Sequence, residues 1–130
     1  MGEWIGLGPS ATSQYDGRRY SNIPSLAEWC SWIKRKQPNR VDQVELTPEV
    51  LATDSLIFGL RMNSGVDLCA LHCRFPTFDL TPLWPLWGEL GNQGLVEGSK
   101  NSRLRLTQKG RFLADRIAVE IIDVFARVKK

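Results

Sequence analysis

The chain has 130 residues, a formal net charge of +3 and 42% hydrophobic residues, including five Trp and five Phe. This is enough for one domain with a buried core, and no run approaches the roughly 20 apolar residues of a membrane-spanning helix. Three cysteines, an odd number, with no secretory signal favour reduced thiols and a cytoplasmic protein over a disulfide framework. So small a net charge does not by itself indicate nucleic-acid binding.

The first 22 residues differ in pattern from the rest. Residues 4–13 are a short apolar segment interrupted by Gly6, Gly8 and Pro9, and a polar segment continues to Asn22. The pattern predicts a strand that ends in a glycine turn and has no partner strand. A lone strand is not stable in water, so we expect these residues to be loosely ordered or to pair opportunistically.

Two helices are predicted next. The first begins with a capping box, Ser25 to Glu28, and places Leu26, Trp29, Cys30 and Ile33 on one face. The second has Thr47 as N-cap and Pro48 at its first position, and it stops at residues 63–65.

The pattern of the remaining residues predicts two more helices, a hairpin and a final helix. A short helix covers about residues 67–74, another opens at residues 81–82, and alternation over 95–97 and 103–106 indicates a hairpin. The final helix has Thr107 as N-cap and carries a long apolar stripe, which consists of Leu113, Ile117, Ile121, Val124 and Val128. The predicted fold is mainly α with a small β-hairpin, a winged-helix-like helical domain.

One cluster superficially suggests a metal site. Cys69 and Cys73 share a helical face and His72 lies beside them. A closed zinc site needs four ligands, and only three candidates are present. We therefore predict no metal site and expect buried or half-buried structural cysteines.

A winged-helix outline raises DNA binding as an alternative. The helix that would enter the major groove, residues 82–91, offers no cation and one carboxylate, so sequence-specific recognition of nucleic acid is not expected. Trp29 and Trp87 lie on predicted apolar stripes, whereas Trp32 and Trp84 lie off them and are candidates for an interface with a partner or a tetrapyrrole. No residue set forms a plausible catalytic centre, and no catalytic residue is predicted.

Several segments together resemble one known family. They are Gly6-Leu-Gly-Pro-Ser-Ala11, Leu56-Ile-Phe-Gly-Leu-Arg61 with Gly65-Val-Asp-Leu68, Gly94-Leu-Val-Glu97, and Leu104-Arg-Leu-Thr107 with Gly110. In order and spacing they resemble the C-terminal domain of the radical-SAM coproporphyrinogen III oxidase family, which includes haem chaperones of the same architecture.

The resemblance implies that two segments of the chain have different roles. Residues 1–22 would be the remnant of the end of an upstream barrel with its linker, and residues 23–130 the C-terminal winged-helix-like domain, a lid on the substrate side that is inactive without the barrel. Full-length members use S-adenosylmethionine and a [4Fe-4S] cluster, and they handle a porphyrinogen or haem. The cluster motif C-x3-C-x2-C is not completed here, because Pro76 stands at the third position after Cys69 and Cys73.

By resemblance, Gly6, Leu7 and Gly8 would approach S-adenosylmethionine at the mouth of the barrel. The parent would be an oxidase or a haem chaperone, and the sequence leaves that choice open. A winged-helix module that binds protein or DNA is the competing hypothesis.

Overall fold

The structure is a computed structural model that describes residues 3–37 and 40–128. Within these ranges the chain forms six helices and five strands. The chain divides into two compact units, Met1–Thr47 and Pro48–Lys130. The first unit contains a helix and a third strand besides the expected remnant at residues 1–22, and the division after residue 22 that the resemblance implies stays a prediction.

The first unit is built on a three-stranded antiparallel sheet. Strands β1 (Thr12–Tyr15) and β2 (Arg18–Asn22) are joined by Asp16 and Gly17, whose φ angles of 51° and 68° match the two-residue type I′ hairpin turn. Strand β3 (Arg40–Glu45) pairs with the other edge of β2. The expectation that the N-terminal strand lacks a partner is therefore wrong.

Helix α1 (Leu26–Lys34) lies between β2 and β3 in the chain. As predicted, the Ser25 hydroxyl caps it by accepting a hydrogen bond from the Glu28 amide, at 3.4 Å. None of its residues is buried, and Leu26 and Ile33 are exposed. The apolar face that the sequence predicts for α1 is thus largely uncovered.

The second unit begins with three helices around one core. They are α2 (Pro48–Arg61), α3 (Leu68–Arg74) and α4 (Leu83–Asn92). Their inward residues recur at helical spacing and join one buried cluster, which includes Ala52, Leu56, Ile57, Leu60, Leu71, Leu83, Trp87 and Leu90. All three helices were predicted, with ends shifted by one or two residues.

A short hairpin and two helices complete the second unit. Strands β4 (Val96–Glu97) and β5 (Arg105–Leu106) pair antiparallel, and Val66 forms a bridge with Leu104 beside them. Helix α5 (Gln108–Arg111) and helix α6 (Ala114–Val128) follow. The predicted fold class, mainly α with a small β-hairpin, is confirmed. No helix in the described part of the chain is both long and apolar enough to cross a membrane.

The final helix is broken in two, which the sequence did not predict. Thr107 caps α5 as expected, since its hydroxyl accepts from the Gly110 amide at 3.1 Å, and the same hydroxyl donates to the Gly94 carbonyl at 2.7 Å. The backbone amide of Thr107 donates to the Leu95 carbonyl. These hydrogen bonds tie α5 to the start of the hairpin, and after the turn at Phe112 the chain takes up α6, which buries Ile117, Ala118 and Ile121.

Gly110 is required where α5 crosses the hairpin, because a Cβ at this position would overlap the main-chain carbonyl of Leu95. We expect Gly110→Ala to lower the free energy of unfolding by about 1–3 kcal/mol, as overpacking does in a core. The matched control is Gly88→Ala in α4, whose Cβ would meet open space. This control should stabilise the chain by about 0.5–1 kcal/mol. Urea titrations of both variants measure the difference, and equal midpoints would contradict the close approach.

Candidate functional site

The glycine turn that precedes β1 is held by two buried polar side chains. The Asn22 side-chain amide donates to the carbonyls of Gly6, at 3.2 Å, and Gly8, at 2.7 Å. The Ser13 hydroxyl accepts from the Gly6 amide at 3.0 Å. Because Ser13 and Asn22 are buried, these bonds are shielded from water and fix the conformation of the turn.

The sheet brings these two side chains to the turn. Asn22 ends β2, and its backbone amide bonds the Ala11 carbonyl at 2.9 Å, which places the side chain under residues 6–8. Sequence reasoning missed both residues, because Ser13 and Asn22 lie seven and sixteen residues from Gly6 and only the strand pairing joins them. The Asp16-Gly17 dipeptide was the signal that could have revealed the hairpin.

The turn presents one apolar side chain to solvent. Leu7 is 88% exposed, the highest value among the large apolar side chains of the described ranges. Gly6 has no room for a side chain, since a Cβ would overlap the Thr12 carbonyl. The three predicted cofactor-binding residues therefore offer a fixed backbone and the Leu7 side chain, with no ionisable group among them. Such a surface can make apolar and main-chain contacts to a ligand and cannot transfer a proton.

The cysteines do not fit an iron–sulfur cluster. Within the described ranges no three His, Cys, Asp or Glu side chains are grouped in a way that could hold a metal ion. Cys30 lies in the first unit, whereas Cys69 and Cys73 lie on α3 of the second, where both are exposed. The expectation of buried or half-buried cysteines at positions 69 and 73 is wrong, because α3 directs Leu71 inward and the two thiols fall on its outer side.

The two candidate interface tryptophans are both half-buried and belong to different units. Trp32 lies on α1. Trp84 lies on α4, where it packs against the core cluster, and the Lys100 ammonium lies 5.4 Å from its ring centroid. Packing and this cation–π contact account for Trp84 within its own unit.

The described part of the second unit lacks the surface that DNA recognition by a winged helix requires. Helix α4 carries no cation over Leu83–Asn92 and contains Glu89. In the hairpin loop, the Arg103 guanidinium bonds the Asp67 carboxylate at 3.1 Å and Lys100 covers Trp84. Both cations are thus engaged inside the unit, and this arrangement does not favour base recognition.

Comparisons with known proteins identify relatives of this fold. The family model described as the HemN C-terminal domain matches residues 46–113, more than half of the chain. The structure is similar to coproporphyrinogen III oxidase (HemN) from Escherichia coli, which is described as a radical SAM enzyme. The TM-score is 0.75 at 20% identity, and the match covers 92% of this chain and 28% of that one. At this identity the likeness shows the fold alone. No curated protein matches the sequence.

The hydrogen bonds from Asn22 and Ser13 to the glycine turn form a clamp on it. The clamp can be tested by removing the Asn22 side-chain amide, its donor. In Asn22→Ala the Gly6 and Gly8 carbonyls lose their partner, and we expect a loss of about 1–3 kcal/mol from the stability of the first unit. Amide hydrogen exchange of residues 6–14 should accelerate accordingly. The control is Thr12→Val, which removes an exposed hydroxyl 3.2 Å from the Ser21 hydroxyl and should change stability by less than about 0.5 kcal/mol. Unchanged exchange in Asn22→Ala would show that the clamp does not hold the turn.

Proposed function

Because the chain belongs to the family of HemN C-terminal domains, we propose that it acts as the lid of a radical-SAM protein of the coproporphyrinogen III oxidase type. In this proposal the chain works with an upstream barrel that binds the [4Fe-4S] cluster, and it performs no chemistry alone. The substrate of the whole protein would be a tetrapyrrole. The three free cysteines are consistent with a reducing, cytoplasmic compartment.

The observation that carries the proposal is the fixed glycine turn with Leu7 exposed on it. Buried hydrogen bonds to Gly6 and Gly8 hold the main chain of the turn that presents Leu7, and a surface that meets a ligand gains affinity from being ordered beforehand. S-adenosylmethionine, when bound to the barrel, would supply the radical. Leu7 would pack against it, and the backbone of Gly6 and Gly8 would keep Leu7 in place.

The first unit also has the apolar surface of a domain that docks onto a neighbour. Ile5, Leu26 and Ile33 are exposed. Docking onto a barrel would remove such apolar area from water. A lid closed in this way would also keep water from a reactive intermediate, which is the contribution that we assign to this chain.

The proposal predicts that the chain alone lacks the cluster and its activity. After anaerobic incubation with iron and sulfide, the isolated chain should show no sulfur-to-iron charge-transfer absorbance and should not cleave S-adenosylmethionine. The longer protein that carries the barrel should do both in the same assay. A cluster assembled on the isolated chain would contradict the proposal, and saturable binding of haem without turnover by the longer protein would favour the chaperone branch.

A second prediction concerns Leu7 in the longer protein. Leu7→Ser should weaken binding of S-adenosylmethionine by about tenfold to a hundredfold, because burial of a leucine side chain contributes about 1.5–3 kcal/mol. The matched control is Val44→Ser, which likewise replaces a branched apolar side chain by the short serine hydroxyl, at an exposed position of β3. Isothermal titration of both variants measures the effect. Equal affinities of Leu7→Ser and the unchanged protein for S-adenosylmethionine would show that Leu7 does not contribute to the site.

A further inference from the structure

Strand β3 forms one edge of the sheet in the first unit. Its inner side pairs with β2, and within the described ranges no strand pairs with its outer side. Five of its six residues are exposed, and the other, Val41, is half-buried. The main-chain amides and carbonyls on the outer side of such an edge can form hydrogen bonds with a strand of another molecule.

A bulge changes the alternation of side chains along this strand. Asp42 and Gln43 together lie opposite Tyr20, because β3 has one residue more than β2 at this point. In a regular strand, residues an odd number of positions apart lie on opposite faces of the sheet. The extra residue cancels this rule for Arg40 and Glu45. Their partners on β2 are four residues apart, so Arg40 and Glu45 lie on the same face.

The hydrogen-bonding groups of β3 have the same symmetry. The amide of Asn22 donates toward β1, so Arg40, which lies opposite Asn22, directs its own N–H and C=O away from β2. At the other end, the amide of Leu46 donates to Gly17 in the turn that begins β2. Its neighbour Glu45 therefore directs its N–H and C=O to the outer side. Both ends of the strand thus present main-chain groups to a partner.

We propose that β3 pairs antiparallel with β3 of a second copy of the chain, about a two-fold axis at the bulge. Arg40 of each copy then lies opposite Glu45 of the other, with their main-chain groups facing each other. Val41 of each copy lies opposite Val44 of the other on the second face, because their partners on β2 are two residues apart. Opposite-charge and apolar cross-strand pairs both stabilise antiparallel strands, and the two-fold axis closes the assembly as a dimer.

The Arg40 side chain is already ordered on the face where the charge pair would form. Its guanidinium carbon lies 4.3 Å from the centroid of the Tyr20 ring. Stacking of this kind uses the flat face of the guanidinium and leaves the N–H donors in its plane for a carboxylate. In the dimer, Glu45 of the other copy supplies that carboxylate.

The interface is small, so the association is weak. Six residues from each copy bury less than the roughly 1,200–2,000 Å² of a stable interface, and we expect a dissociation constant of about 0.1–1 mM. A chain at about 10 µM is then monomeric, and self-pairing does not affect titrations of S-adenosylmethionine at that concentration. The pairing does not depend on the proposed role of the chain as a lid.

Nuclear magnetic resonance on the unchanged chain tests the pairing directly. When the concentration rises from about 20 µM to about 2 mM, the amide resonances of residues 40–46 should shift along a saturable curve for a dimer. In a mixture of isotope-labelled and unlabelled chains, filtered nuclear Overhauser effects should connect the methyl groups of Val41 in one copy with those of Val44 in the other. The isotope filter removes contacts within one chain.

Charge reversal tests the register. Arg40→Glu and Glu45→Arg each place like charges opposite each other at both ends, and each should weaken self-association by about tenfold. An equimolar mixture of the two variants should recover the original affinity within about threefold, because every carboxylate in the mixed dimer again lies opposite a guanidinium. Both variants keep a positive net charge, since the unchanged chain carries +3 and each substitution changes it by two. A general attraction between the variants therefore does not explain a recovery.

The matched control is Arg111→Glu, the same change of charge at an exposed residue of α5 in the second unit. It should leave self-association unchanged within about twofold. Thermal melts show whether the variants remain folded, and the measurements on the unchanged chain test the pairing independently of them.

Three results would overturn the proposal. Resonances that stay unchanged up to about 2 mM would show that the bulge protects this edge from pairing, as bulges do in other sheets. Concentration-dependent shifts confined to residues outside 40–46 would place the contact on another surface. Folded variants that do not recover affinity when mixed would contradict the register of Arg40 opposite Glu45.

Discussion

The second unit depends on the packing of α2 against α6. Ile57 and Leu60 of α2 line the same small internal space as Ile117 and Ile121 of α6, and all four are buried. Each such side chain contributes about 1.5–3 kcal/mol by leaving water. The ion pair between Arg61 and Asp115 joins the same two helices at 2.6 Å, but both side chains are solvent-exposed, and such pairs contribute at most about 1 kcal/mol. The apolar contact therefore determines how α2 packs against α6, and the ion pair adds little to it.

This packing also explains why an apolar groove opens at one end of the two helices. The end of α2 meets the start of α6 at the Arg61–Asp115 pair, whereas the start of α2 lines the groove together with the end of α6. The two helices are thus antiparallel. Their middle portions are covered by the core, and at the groove end the apolar side of α6 continues with Ile122 and Phe125 after the buried positions stop at Ile121.

The first unit is stabilised in a different way. Its buried residues include Ser13, Gln14 and Asn22, so much of its interior is polar and depends on satisfied hydrogen bonds. The Gln14 side chain accepts from the Arg19 guanidinium at 2.7 Å, and Asn22 and Ser13 bond the glycine turn. A lost partner in such a network leaves a buried polar group unsatisfied, which costs more than the bond itself contributes. The glycine turn that carries Leu7 is bonded to this network and so depends on it as well.

The sequence predicted the elements that local chemistry determines. Ser25 and Thr107 are N-caps because their hydroxyls reach amides three residues ahead, a relation visible in the sequence. Strand β3 was missed because Asp42, with a φ of 52°, lies in an irregular stretch of its pairing with β2 and interrupts the alternation that reveals a strand. The break before α6 follows a helix that is held against the hairpin by the Thr107 hydrogen bonds and by the close approach of Gly110 to Leu95, tertiary contacts that helical periodicity does not contain.

The candidate sites likewise combine features that the sequence reveals with features that only the tertiary structure shows. Gly6, Leu7 and Gly8 were found through resemblance, but the clamp beneath them depends on strand pairing between residues distant in sequence. The apolar stripe of the last helix was correctly identified, yet periodicity treats all its members alike. Only the fold shows that Ile117 and Ile121 are covered by α2 and that Val128, on the same stripe, is exposed. A helix that stays apolar beyond its covered length, where ordinary solvation would favour Lys or Glu, has a surface that a second molecule can bury.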